Sequence, residues 1–168
     1  MEMKTHKTHI ISMVVDDEPG VLTRISGLFS RRGFNIETIT VGKSSHTRES
    51  KIVITSYGND RTLEQIEKQV GKLIDVKRIS ELRPETSVVR ELCLIKVSIS
   101  KTGSKEELMH YASVYKAPVV DITPKSAIIQ LLGKPEKIDA FIELIRPLGI
   151  KDMSRTGVTA IARGNNGA

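Results

Sequence analysis

Hydrophobic and polar positions alternate along the N-terminal half in blocks that predict six elements. Thr8 to Val15 (THIISMVV) is rich in β-branched residues and reads as a strand, which Asp16-Asp17-Glu18-Pro19-Gly20 breaks. Val21, Leu22, Ile25, Leu28 and Phe29 then fall three and four apart, with Thr23, Gly27 and Ser30 off that face, so an amphipathic helix follows and packs on a sheet. Asp17 and Glu18 place negative charge at its start with Pro19 in the first turn, and Arg31, Arg32 and Gly33 supply the cationic end and the stop. Asn35 to Val41 alternates as a second strand, the polar stretch from Gly42 to Ser50 makes a loop, and Lys51 to Tyr57 returns as the other arm of a hairpin. A helix from Asp60 to Ile74 carries Leu63, Ile66, Val70, Leu73 and Ile74 on one face behind a Thr62/Gln65 capping box. Val76 to Leu82 alternates again as a half-exposed strand.

Arg83 to Ser87 (RPETS) is polar and holds the first proline after Pro19, which marks a linker. The same plan then repeats. A strand lies within Val88 to Ser100, and a Ser104-x-x-Glu107 start leads a helix with Leu108, Met109, Ala112 and Tyr115. Val119 to Thr123 and Ala127 to Leu132 form a second hairpin, Pro135 opens a helix closed by Pro147 and Gly149, and Ile150 to Ser154 is a last strand, with a short edge strand within 157–162 and a frayed tail from Gly164. Two βαββαβ units of the ferredoxin-like α+β class follow, with an N-terminal domain over 1–83, a linker over 84–87 and a C-terminal domain over 88–168. Helices cover only one face of each sheet, so edges or faces are open to a second copy, and a homodimer with a continuous sheet is expected.

Composition removes several function classes. The net charge of +6 arises from 26 basic residues scattered among 20 acidic ones, and aromatics are only 4%, which argues against nucleic-acid binding and for a basic surface facing solvent or an acidic protein. No apolar run approaches a bilayer span and the N-terminus has no signal-peptide pattern, so a cytoplasmic, membrane-free protein is expected. The one cysteine, Cys93, lies in the apolar stretch LCLIKV as a buried, inert thiol. His6, His9, His46 and His110 lack ligand spacing and read as solvated or loop residues, Ser26 and Ser30 lack a nearby base, and the acidic residues form no catalytic set. Lys43, His46 and Arg48 cluster at the hairpin tip as a solvated loop or a contact for a partner.

One place remains for chemistry. The first strand, the tight Asp16–Gly20 loop and the helix start leave backbone N–H groups without intrahelical partners, a niche for a carboxylate. On geometry alone it reads sooner as a helix end capped by Asp17 and Glu18 whose remaining donors bind water, since most helix N-termini bind nothing.

The residues EPGVLTRISGLFSRRGFNIETITVG and ITSYGNDRTLEQIEKQVGKLIDVKRISEL resemble an ACT domain, and more narrowly the regulatory small subunits of acetohydroxyacid (acetolactate) synthase. VVRELCLIKV, VVDITPKS and KIDAFIELIRPLGIKDMSRTGVTAIARG extend the resemblance over the chain. It implies a non-catalytic homodimer that binds and activates the large catalytic subunit and confers feedback inhibition by valine or a related branched-chain amino acid. It implies also that thiamine diphosphate, magnesium and FAD belong to the large subunit, and this chain lacks a Gly-Asp-Gly motif. The effector would lie between Asp16, Asp17, Gly20 and Val21 of one copy and Asn35 and Ile36 of the other. Helix N–H groups suit its carboxylate, the Asn35 amide offers donor and acceptor, and a gap near Ile36 suits an isopropyl group.

Asp17 stands where the family pattern has Asn. Two carboxylates at about 4 Å repel by roughly 4 kcal/mol at an effective dielectric of 20, so Asp17 is expected to turn to the effector's α-ammonium, or else to cap the helix. A stand-alone amino-acid sensor controlling another enzyme or transcription is the alternative reading, but no helix-turn-helix remains once both units are assigned.

Overall fold

The computed structural model describes residues 6–164. The chain divides into two compact units, the first made of the residues up to Val88 together with those from Val158 onward, the second of Val89–Gly157.

In the first unit the apolar alternation builds β1 (Lys7–Asp16), α1 (Val21–Arg32), β2 (Thr38–Lys43), β3 (Glu49–Gly58), α2 (Asp60–Val70) and β4 (Val76–Glu81). The strands lie in the order β2-β3-β1-β4, with every neighbouring pair antiparallel. Ile11, Met13 and Val15 of β1 and Ile52 and Ile54 of β3 share one core with Val21, Ile25, Leu28 and Phe29 of α1 and Leu63, Ile66 and Val70 of α2. Both helices therefore cover the same sheet face, as the period-two alternation of the strands requires.

The second unit repeats the plan with β5 (Ser87–Ser98), α3 (Ser104–Tyr115), β6 (Val119–Ile122), β7 (Ser126–Gly133), α4 (Pro135–Gly149) and β8 (Ile150–Arg155), in the order β6-β7-β5-β8. Cys93 lies in its core, and burial pushes the thiol up to about 11, so it stays protonated and unreactive at neutral pH. No helix among the described residues is long and apolar enough to cross a membrane.

Several boundaries differ from the sequence expectation, each for a local reason. The first helix begins at Val21 and not at Pro19, because Gly20 takes the left-handed conformation (φ 88°) and ends the loop there. The strand after it begins at Thr38, since Asn35 is held by its carbonyl to the Ser56 hydroxyl at 2.6 Å and only from Glu37, whose N–H donates to Thr55 O at 2.8 Å, does the ladder start. Asn59 caps α2, its side chain accepting from the Thr62 N–H at 3.0 Å, in place of a Thr62/Gln65 box, and the helix stops at Val70 so that Ile74 is exposed. Gly103 precedes α3, with Ser104 already inside it and its hydroxyl donating to Lys101 O. His9 is neither a solvated nor a loop residue: it is buried on β1 with Nδ1 2.8 Å from Glu81 Oε1.

The sequence places the segment 157–162 within the second domain, but the structure returns Val158 onward to the first unit. Its strand β9 (Thr159–Ala162) pairs with β5, whose first residues belong to the first unit. The Val158 N–H reaches Thr38 Oγ1 at 3.5 Å, and the Arg163 N–H donates to Thr86 O at 2.8 Å. Val158 and Ala160 are buried, as are Ile10, Val53 and Leu82 on the sheet face that carries no helices. This stretch covers part of that face.

In the second unit Glu91 is 2% exposed and its two oxygens accept from Arg155 Nε at 2.7 Å and Nη2 at 2.8 Å, while Arg155 Nη1 donates to Asp139 at 2.7 Å. Removing one partner of such a pair leaves a buried charge alone. Arg155→Ala is expected to lower the unfolding free energy by about 3–5 kcal/mol, and the double change Arg155→Met with Glu91→Leu to recover most of it, as read by urea denaturation.

Candidate functional site

The end of β1 and the start of α1 form a small polar site. Asp16 closes β1, where its N–H donates to Asp75 O at 2.9 Å. The Asp17 N–H donates to Arg48 O at 2.9 Å, and Arg48 is one of the two non-glycine residues with positive φ among the described residues (64°), so the hairpin end and the loop are tied by backbone bonds. Gly20 then turns the chain into α1. No side chain caps this helix. Val21 buries its side chain in the core and its N–H meets Glu18 O only at 3.4 Å; the N–H groups of Leu22 and Thr23 donate to nothing among the described residues. These donors, with the helix dipole behind them, favour an anion.

Among the described residues, charge around the loop is matched at Asp16, Glu49 and Asp75 but not at Asp17 or Glu18. Arg24 Nε and Nη2 donate to the two Asp75 oxygens at 2.7 and 2.8 Å, and Lys77 Nζ lies 2.9 Å from Asp16 and 3.1 Å from Glu49. The hydrogen bond from Arg24 holds the Asp75 carboxyl below its ordinary range, and the bonds to Asp16 and Glu49 raise the Lys77 ammonium above its own. Asp17 instead accepts from the Ser50 hydroxyl at 2.9 Å, and no cation lies within ion-pair distance of it among the described residues. It neither caps the helix nor is neutralised, and it remains a hydrogen-bonded carboxylate exposed beside the helix start.

Sequence reasoning missed Arg24, Ser50, Asp75 and Lys77. A signal existed for Arg24 alone, four residues after Gly20 and hence on the same side of the helix one turn up. A Cβ built on Gly20 would come within 3.1 Å of Arg24 Nη1.

Asn35 and Ile36 lie elsewhere. Asp16 pairs with Glu49 at the beginning of β3, whereas Asn35 is bonded to Ser56 near its end. That separation of seven strand residues is about 23 Å. One chain therefore gathers Asp16, Asp17, Gly20 and Val21, and places Asn35 and Ile36 at the other end of the sheet. Asn35 is exposed, and Ile36 packs partly on the core.

Comparison with known proteins agrees with this architecture. Residues 11–78 match the family described as the AHAS small subunit-like ACT domain, and residues 90–164 the family described as the small subunit of acetolactate synthase. A probable acetolactate synthase small subunit from Methanothermobacter thermautotrophicus is 48% identical over 158 residues, 94% of each chain. The acetolactate synthase small subunit of Mycobacterium bovis is 40% identical over 161 residues, 96% of this chain and 95% of its own. The crystal structure of the acetolactate synthase small subunit from Thermotoga maritima superposes with a TM-score of 0.88 at 38% identity, covering 95% of this chain and 99% of the other. The first unit is thus an ACT-like domain followed by a second ferredoxin-like unit. The chain belongs to the family of acetolactate synthase small subunits.

Two glycines of this region should respond in opposite directions. Gly20→Ala forces a side chain into the left-handed region and is expected to cost roughly 1–2 kcal/mol. Gly27→Ala, inside α1 with only Arg31 Nη1 at 3.4 Å, should add up to about 1 kcal/mol, both read by urea unfolding. Asp75 binds its proton less readily folded than unfolded, so its contribution is present above the ordinary carboxylate range and lost as the pH falls through the lowered value. Asp75→Asn should accordingly flatten the acid limb of the stability curve.

Proposed function

We propose that this protein is the non-catalytic regulatory subunit of acetolactate synthase. It binds the large catalytic subunit, raises its activity and makes it sensitive to valine, in the cytoplasm and in branched-chain amino-acid biosynthesis. Thiamine diphosphate, magnesium and FAD are then held by the large subunit and not by this chain. The observation that carries the effector part is the pairing, at the start of α1, of free helix N–H groups with the unneutralised Asp17 carboxylate. A free amino acid carries the complement of both, its carboxylate meeting the helix amides and its ammonium meeting Asp17.

The second half of the site comes from a second copy. A two-fold axis beside the edge strand β2 reverses the strand direction, and so carries Asn35 and Ile36 of one copy toward the Gly20 loop of the other. In this reading valine seals a homodimer interface. It inhibits because the dimer conformation that it binds best is the less active one in the holoenzyme. The solvated Lys43, His46 and Arg48 tip is a candidate contact for the large subunit.

Adding the full chain to the large subunit, with activity followed with and without valine, tests the reading. Activation that valine reverses is expected, and an unchanged large-subunit activity overturns it. Asn35→Ala should keep activation and lose the valine response. Asp17→Asn should weaken valine binding by up to about fivefold, the worth of a solvent-exposed ion pair. Equal or tighter binding in that variant removes the ammonium role.

A further inference from the structure

The helix-free face of the first unit's sheet is covered at one end by the stretch from Val158, and beside it lies a cavity of about 610 Å³. Strand register fixes its charge. Val14 is paired with Lys51 on one side and with Arg78 on the other, so two cations flank one apolar residue on the same face. Their backbones are two strand spacings apart, about 10 Å, within joint reach of a single bound group. Ser12, two residues before Val14, pairs with Ser80 and sets two hydroxyls next to the cations, and Lys43 joins them from the hairpin.

None of these three cations has a carboxylate within ion-pair distance among the described residues. The one acidic residue on the cavity wall, Glu81, is engaged elsewhere, with Oε1 2.8 Å from His9 Nδ1 and Oε2 3.7 Å from Arg83 Nε. Ser87 closes the wall behind them, 3% exposed, with its carbonyl accepting from Arg163 Nε at 3.2 Å.

We propose that this cavity binds a small organic anion through a phosphate group, with Lys51 and Arg78 on the phosphate oxygens and Ser12 and Ser80 donating hydroxyl hydrogen bonds. Two cations with hydroxyls beside them match a multiply charged group with several acceptor oxygens better than a single carboxylate. The volume exceeds that of the phosphate alone, and Val14, Leu82 and Ile161 give an apolar wall for the body that carries it. The site uses none of the residues at the start of α1.

Titrating the full chain with inorganic phosphate and with pyrophosphate in chloride buffer, by calorimetry, tests this. Saturable binding is expected, tighter for pyrophosphate, weakening as salt rises and at least about tenfold weaker in the Lys51→Gln/Arg78→Gln double variant. Ser80→Ala should bind about fivefold more weakly while unfolding at the same temperature in phosphate-free buffer. If circular dichroism shows the double variant unfolded, Arg78→Gln alone, at an exposed position, is read in its place and must still weaken binding. Absence of saturation, unchanged affinity in the folded cation variants, or tighter binding of succinate than of pyrophosphate overturns the proposal.

Discussion

A sheet covered by helices on one face only must deal with its other face, and most of this molecule answers to that constraint. The alternation that sends Ile11, Met13 and Val15 into the helical core sends Ile10, Ser12 and Val14 the opposite way. Water is a poor neighbour for Ile10, Val53 and Leu82 together, and burying them is worth on the order of 1.5–3 kcal/mol apiece. Val158 and Ala160 are buried in the same unit, while Ser12, Lys51, Arg78 and Ser80 along the remaining strip need no such cover. Where hydrophobic positions end and polar ones begin along three strands thus decides where the face closes and where it stays open.

Charge at the start of α1 follows a similar economy. Asp16, Glu49 and Asp75 would repel one another across a narrow loop, and Lys77 and Arg24 hold them apart in sign. Only Asp17 is left with a hydroxyl in place of a cation. The loop is consequently tied by backbone hydrogen bonds at Asp16 and Asp17 and keeps an unpaired carboxylate beside the helix amides.

The order and type of the elements were legible in the sequence because strong periodicity and the Arg31-Arg32-Gly33 ending leave few alternatives. What was not legible depended on contacts distant in sequence or on a single torsion. Pro19 is a common first helical residue, so nothing local revealed that Gly20 would turn left-handed and delay the helix. Thr62 and Gln65 read as a capping box, and only the geometry shows Asn59, three residues earlier, taking that role. His9 looked solvated beside Lys7 and Thr8, but strand parity puts it on the core side, facing a carboxylate 72 residues away. Ser50 and Asp75 reach the loop at Asp17 from β3 and from the turn before β4, and no spacing rule connects them. That the two groups of expected effector residues lie a strand length apart emerges only from register.

The return of residues 158–163 to the first unit has a consequence for how the chain is made. The intervening unit, Val89–Gly157, is an insertion within the first one in sequence order. During synthesis the ACT-like sheet emerges from the ribosome early but lacks the strip that shields Ile10, Val53 and Leu82 until some seventy further residues have followed. Nascent chains therefore pass through an interval in which a folded domain shows a greasy flank, and it is then, and not in the finished protein, that a chaperone has most to hold.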